Sequence, residues 1–244
     1  MIFGAMASEV KDPGALGLPT GQFMKDIEAG LLEPHRDRAN HPFVHKVLRG
    51  EATPRQIGGW LLQFRLWADP ANKGIAIIYA NTPDKDLREA LLENIMEEEK
   101  GASSGLDGHV ALINDALMEF GFSKAEIESA EMLPESWTFF HWLETVMKTR
   151  SFLEGICLLS MAERVNPIVF AKLAKGLRAH YRVSERALRA FDVHASDVEV
   201  EHGRIVDTAV ERYATTRYWQ EQVRFIIFHT AELYYRFFNV YAAY

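Results

Sequence analysis

No stretch of this chain alternates apolar and polar residues for long enough to form a strand, whereas from residue 21 onward apolar residues recur every three or four positions. That period confines the fold to the all-α class. Phe23, Ile27 and Leu31 repeat every four residues, and Phe43, Val47 and Leu48 begin a second stripe after Pro42. Thr53-Pro54, an N-cap followed by Pro at the first helical position, opens a helix through Trp60, Phe64 and Trp67 toward Ile78. Thr82-Pro83 repeats the signal for a helix through Leu87, Leu91, Leu92, Ile95 and Met96 into Glu97-Glu98-Glu99. Gly101, Gly105 and Gly108 interrupt it. His109, Leu112, Ile113, Leu117 and Phe120 mark the next helix, closed by Gly121, and Ser123 through Glu126 fits a capping box. Pro134 to about Arg150 and Phe152 to about Val165 read as core helices, with Pro167 expected to break or kink the chain after Val165. The two longest helices are expected last, from about Val183 to Tyr213 and from about Thr216 to Tyr241.

A chain of 244 residues is near the upper limit for one hydrophobic core, and its composition forces no split. One domain over 21–244 is expected, preceded by a loosely held arm over 1–20 that contains Gly4, Pro13, Gly14, Gly17 and Pro19. The net charge of −7 excludes a nucleic-acid surface, which needs clustered Lys and Arg. No apolar run approaches the roughly 18 to 20 residues that span a bilayer, and Met1 to Met6 lack the basic start of a signal peptide. A cytoplasmic protein without a membrane partner is expected. Cys157 is the single cysteine, so internal disulfides and thiolate metal sites are excluded, and within Ile156-Cys157-Leu158-Leu159 it reads as a small buried hydrophobe.

The chemistry is concentrated in Phe191 to Gly203, which holds His194, Glu199 and His202. Glu199 and His202 project about 60° apart on one helix face and can share an ion. His194 lies about 140° from Glu199 on an ideal helix, a mismatch that a one-residue π-bulge between 194 and 199 would remove. The competing reading is a solvated acidic face. Glu163 follows Ile156, Leu159 and Met161 on an apolar stripe, where a carboxylate is expensive unless it is paired with a buried arginine or bound to metal. Among Glu97, Glu98 and Glu99 two are expected in solvent, with Glu98 at the end of the Leu91, Ile95 row. The glycine-rich turn can fold His109 back toward it, or leave it in water. Glu98, His109, Glu163, His194, Glu199 and His202 make an inventory for two first-row ions, and nitrogen and oxygen donors without thiolate suit iron or manganese better than structural zinc.

These segments, Asn94 to Gly101, His109, Ala162 to Pro167 and Glu199 to Gly203, together with His41-Pro42-Phe43 to Trp67, resemble the haem-oxygenase-like superfamily from about residue 35 to the C-terminus. Within it the chain is similar to pyrroloquinoline quinone biosynthesis protein C and to the Chlamydia protein associating with death domains, and more distantly to thiaminase II. The resemblance implies a seven-helix up-and-down bundle, commonly a homodimer, with a buried active site. In its metal-using branch two irons are held by Glu98, His109, Glu163, His194, Glu199 and His202, carried over by position. Glu199 stands where that branch has Asp, and His194 sits one residue early.

The resemblance therefore implies a non-haem diiron oxidase or oxygenase acting with O2 on a small organic metabolite. Two alternatives stand beside it: a cofactor-free oxidase, and a non-catalytic partner-binding bundle. Phe170, Leu188 and Asp192 occupy the positions where the cofactor-free branch has catalytic His, Tyr and Arg. Thiaminase chemistry needs an activated cysteine, and Cys157 has no evident His beside it. Trp60, Trp67, Tyr79, Phe140 and Trp142 are candidates to line the substrate space, with core packing as the competing role. Phe225 to Tyr244 can cover either the core or a partner.

Overall fold

Three helix starts are fixed by reciprocal caps that the sequence spells out. The Gln56 N–H donates to Thr53 Oγ1 at 3.1 Å while the Thr53 N–H donates to Gln56 Oε1 at 3.0 Å, and Ser123 with Glu126 and Ser151 with Glu154 repeat the exchange. Each exchange satisfies two amide donors that a helix start otherwise leaves unpaired. The computed structural model describes residues 14–195 and 205–244 and, within them, every side chain except those of residues 69 and 160–163.

Among the described residues the helices are α1 (Thr20–Leu31), α2 (Pro42–Leu48), α3 (Pro54–Asn81), α4 (Lys85–Lys100), α5 (His109–Glu119), α6 (Lys124–Glu128), α7 (Pro134–Thr149), α8 (Phe152–His180), α9 (Glu185–Asp192), α10 (Ile205–Tyr213) and α11 (Arg217–Phe237). Short 3-10 turns occupy Arg38–Asn40, Val193–Ala195 and Phe238–Ala243. Among the described residues seven helices, α1, α3, α4, α5, α7, α8 and α11, have eleven residues or more. No strand occurs among the described residues, only an isolated bridge between Leu16 and Thr216. The fold is all-α, as the periodicity requires. None of the described helices is long and apolar enough to cross a membrane.

Helices α3 and α8 are the spine. The first packs against α4, α5, α7 and the C-terminal turn, and the second against α2, α9, α10 and α11. Between them Trp60, fully buried, meets Phe43, Phe64, Phe170 and Phe238 at ring-centroid distances of 5.1 to 6.0 Å. Burying rings of this size contributes more to the stability of such a bundle than intrinsic helix propensity does. The C-terminal aromatic run turns inward, with Tyr234, Phe237 and Phe238 buried.

Four expectations need correction. Of the break or kink expected after Val165, the break does not occur, because α8 runs for 29 residues with Pro167 inside it. Proline removes one ladder hydrogen bond, but Val169, Phe170, Leu173 and Leu177 continue the buried stripe and hold the helix together across it. For the same reason the longest helices are α3 and α8, not the last two: the segment from Val183 leaves the α-helix at Asp192 for the Val193–Ala195 turn. Thr82 does not start α4. Its hydroxyl donates to the Ile78 carbonyl at 2.7 Å, closing α3, and Asp84 takes the N-cap position of α4. Lastly, the arm is tied down from residue 15: the Gly17 N–H donates to the Thr215 carbonyl and the Arg217 N–H to the Ala15 carbonyl, both at 2.9 Å. Gln220 adds a bond to Leu18 in each direction, so backbone pairing overrides the glycines and proline there.

Candidate active site

Along α4 the buried row is Leu87, Leu91, Asn94 and Glu97, with Glu98 half-buried beside it, so the apolar stripe becomes polar in its last turn. Gly101 then ends the helix with φ 61°, a left-handed conformation that glycine adopts at low cost. A Cβ there would lie 2.2 Å from the Leu106 carbonyl oxygen, and one at Gly108 would lie 2.4 Å from the Glu99 carbonyl oxygen. The turn is therefore packed too closely for side chains at either position, and it sets the first residue of α5, His109, directly over the end of α4.

There His109 Nδ1 lies 2.9 Å from Glu98 Oε2, and Nε2 lies 3.5 Å from Glu97 Oε1. The two carboxylates differ in role. The Glu97 side chain is 2% exposed and its Oε2 accepts from the Ser103 and Ser104 N–H groups at 2.7 and 3.0 Å. Burial opposes its ionisation, but the hydrogen bonds from Ser104 and Ser103 outweigh it and hold the carboxyl below the usual carboxylate range. Glu98 is 23% exposed and lines the cavity described below. Glu99 is exposed.

His194 reaches the same place from the other side of the bundle. It is buried in the Val193–Ala195 turn, edge-on to His109 at 4.6 Å between ring centroids and flanked by Phe170 and Phe64. Glu199 and His202, and with them the suggested π-bulge, lie outside the described residues. Glu163 belongs to α8, three residues before Asn166, but its side chain also lies outside them. Among the described residues no group of three or more His, Cys, Asp or Glu is arranged to hold a metal ion. What they bring to one cavity wall is one carboxylate and two imidazoles from three elements, not assembled around a common point. They fit iron in kind, with nitrogen and oxygen donors and no thiolate.

Glu98, His109 and His194 border a buried cavity of about 100 Å3 between α3, α4, α5, α7, α8 and α11. Phe64, Trp67, Phe139, Leu143, Met147 and Leu158 form its apolar walls. Pro70 and Pro167 each remove a helix hydrogen bond close to lining residues, Ala68 and Ala71 in one case and Asn166 in the other. Of the aromatic candidates only Trp67 lines the cavity. Phe140 stacks behind it at 5.4 Å, Trp60 belongs to the core, and the Trp142 Nε1–H donates to Thr230 Oγ1 at 2.9 Å. Asn166, Thr230 and Tyr234 supply a second polar wall, with Arg38 behind it. Sequence reasoning missed that wall. Asn166 lies inside a quoted motif and Tyr234 inside the aromatic run, but Arg38 carries no local signal at all.

Cys157 is fully buried, and burial, followed by the charge of Glu154, raises its thiol well above the ordinary range, so no thiolate is available for attack. Asp192 is held by Arg178 through two bonds of 3.0 and 2.7 Å.

A helical bundle whose interior cavity is bordered by imidazole and carboxylate groups defines a class of proteins that process small molecules between packed helices. The chain belongs to the family of iron-containing redox enzymes with the haem-oxygenase-like fold, whose family model matches residues 59–235. It is 24% identical over 193 residues to the 4-aminobenzoate synthase of Chlamydia muridarum, covering 78% of each chain. Two solved structures share the fold. A TenA homologue from Pseudomonas syringae superposes with a TM-score of 0.75 at 13% identity, over 96% of this chain and 100% of that one. A CADD-like protein of unknown function from Nostoc punctiforme does so with a TM-score of 0.73 at 14% identity, over 93% and 99%.

Proposed function

We propose that this protein is a non-haem iron oxidase or oxygenase that uses O2 to convert a small organic metabolite in a biosynthetic pathway. The observation that carries the reading is the Glu98–His109 contact of 2.9 Å with His194 edge-on at 4.6 Å, on the wall of a buried cavity that is otherwise mostly apolar. Membership of the iron-containing redox family and the biosynthetic role in the Chlamydia relative's name support it.

In this reading Glu98, His109, Glu163, His194, Glu199 and His202 hold two iron ions, with manganese the other ion such donors accept. Iron bound there would supply the electrons and the oxidising power for O2 chemistry. The chain's share is positioning and exclusion of water. The 2.9 Å contact between His109 Nδ1 and Glu98 Oε2 holds the imidazole against the carboxylate. Phe64, Trp67, Phe139 and Leu143 keep bulk water away, which strengthens each electrostatic contact inside and suppresses side reactions. A cavity of about 100 Å3 is smaller than the roughly 150 Å3 that accepts benzene, so it admits a short-chain compound rather than a six-membered ring. The resemblance to the superfamily supports a cytoplasmic homodimer, each chain one bundle over 21–244.

Anaerobic Fe(II) titration tests the proposal. We expect saturation near two equivalents, O2 uptake by the loaded protein, and loss of at least one equivalent in His109→Ala and in His202→Ala. Saturation far below two equivalents, or a folded His202→Ala that binds iron as well as the parent, would refute it.

A further inference from the structure

The iron reading makes no use of the second polar wall. Arg38 is 1% exposed, from the 3-10 turn before α2, and its Nη1 donates to Asn166 Oδ1 at 3.1 Å while its guanidinium carbon lies 3.7 Å over the Tyr234 ring centroid. Both partners line the cavity. Arginine keeps its charge even when buried, so a positive potential extends past a thin wall of side chains into a space of low dielectric. The wall also has its donors sorted. With Oδ1 of Asn166 taken by Arg38, the amide N–H2 is what Asn166 can offer a ligand, and Thr230, whose oxygen accepts from Trp142, retains a hydroxyl proton to donate. On the opposite wall the Glu98 carboxylate repels an anion.

We infer that Asn166, Thr230 and Tyr234, backed by Arg38, form an anion subsite that takes the carboxylate of a small organic acid and turns the rest of the molecule toward Glu98, His109 and His194. This rests on the oxidase reading only in treating the cavity as substrate space. The subsite itself needs no iron. A short-chain monocarboxylic acid meets both the charge and the size of the cavity. Arg38 is a positioning residue, because it acts through Asn166 and Tyr234.

The experiment is calorimetric titration of the full chain after chelation, so that an acid cannot be captured by bound iron. The probes are propionate and butyrate, each against its own amide. We expect at least one acid to bind about tenfold or more tighter than its amide, the factor appropriate to hydrogen bonds with a charged partner. Asn166→Asp, which sets a carboxylate against Arg38 and removes the amide donor, should abolish that preference. Tyr234→Phe should reduce the acid affinity about threefold or more, and it carries the test should Asn166→Asp fail to fold. Equal binding of acid and amide, absence of acid binding, or full preference retained in both folded variants would overturn the subsite. Iron uptake without acid preference removes the subsite and leaves the oxidase reading, whereas acid preference without iron uptake does the reverse.

Discussion

The two polar walls of the cavity are built in opposite ways. Glu98 and His109 are separated by one tight turn and brought together by backbone geometry at Gly101 and Gly108, so that wall is local, ionisable and readable from spacing. The wall of Asn166, Thr230 and Tyr234 with Arg38 draws on residues far apart in the chain. Its hydrogen bond from Arg38 to Asn166 spans 128 positions, and its members meet only because α8, α11 and the turn before α2 pack on one another. A local wall depends on one turn. A long-range wall depends on the whole bundle.

The largest effect expected from breaking this contrast comes from Gly101→Val. A β-branched residue at φ 61°, with its Cβ placed against the Leu106 carbonyl, should cost about 2–4 kcal/mol in urea unfolding. If the first wall is local, hydrogen exchange should loosen in α5 while α11 stays protected.

The second region answers to pH through His41, which caps α2 by accepting from the Phe43 N–H and packs edge-on against Tyr235 beside Tyr234. Burial, opposed by a hydrogen bond with Asn239, lowers its pKa from 6.5 to about 4. Between those values the unfolded chain binds a proton that the folded chain does not. This contribution is therefore complete above pH 6.5 and is lost as the pH falls toward 4, by about 2–3 kcal/mol. Asparagine keeps the cap, so His41→Asn should flatten that part of the stability profile, and an unchanged slope would show that the histidine is solvated in the folded protein.

Thr230→Val is the mildest. It keeps the shape but removes the acceptor of the Trp142 Nε1–H, at an expected cost of about 1 kcal/mol in thermal or urea unfolding. A neutral result would mean that water replaces the hydroxyl, and that this wall is wetter than its burial suggests.

How much of this was legible follows from the range of each interaction. The caps at Thr53 and Ser123, and the turn that returns His109 to Glu98, involve groups a few residues apart, and residue type and spacing describe them almost completely. Pro167 shows the limit from the other side. Its local signal says stop, yet the helix continues because burial of Val169, Phe170 and Leu173 outweighs one missing hydrogen bond. Among the carboxylates of 97–99 the periodicity could not decide, since Glu97 turned out buried for the sake of the Ser103 and Ser104 amides while Glu98 faces the cavity.

The sequence by itself determined the all-α class, most helix starts and the kinds of donor atoms available, because periodicity, capping and side-chain chemistry are properties of neighbouring residues. Only the tertiary structure decided that Trp67 borders the cavity while Trp60 fills the core, that His194 meets His109, and that a buried arginine stands behind Asn166 and Tyr234. Such meetings are set by which helices pack together and at what depth, and no window of the chain contains both partners.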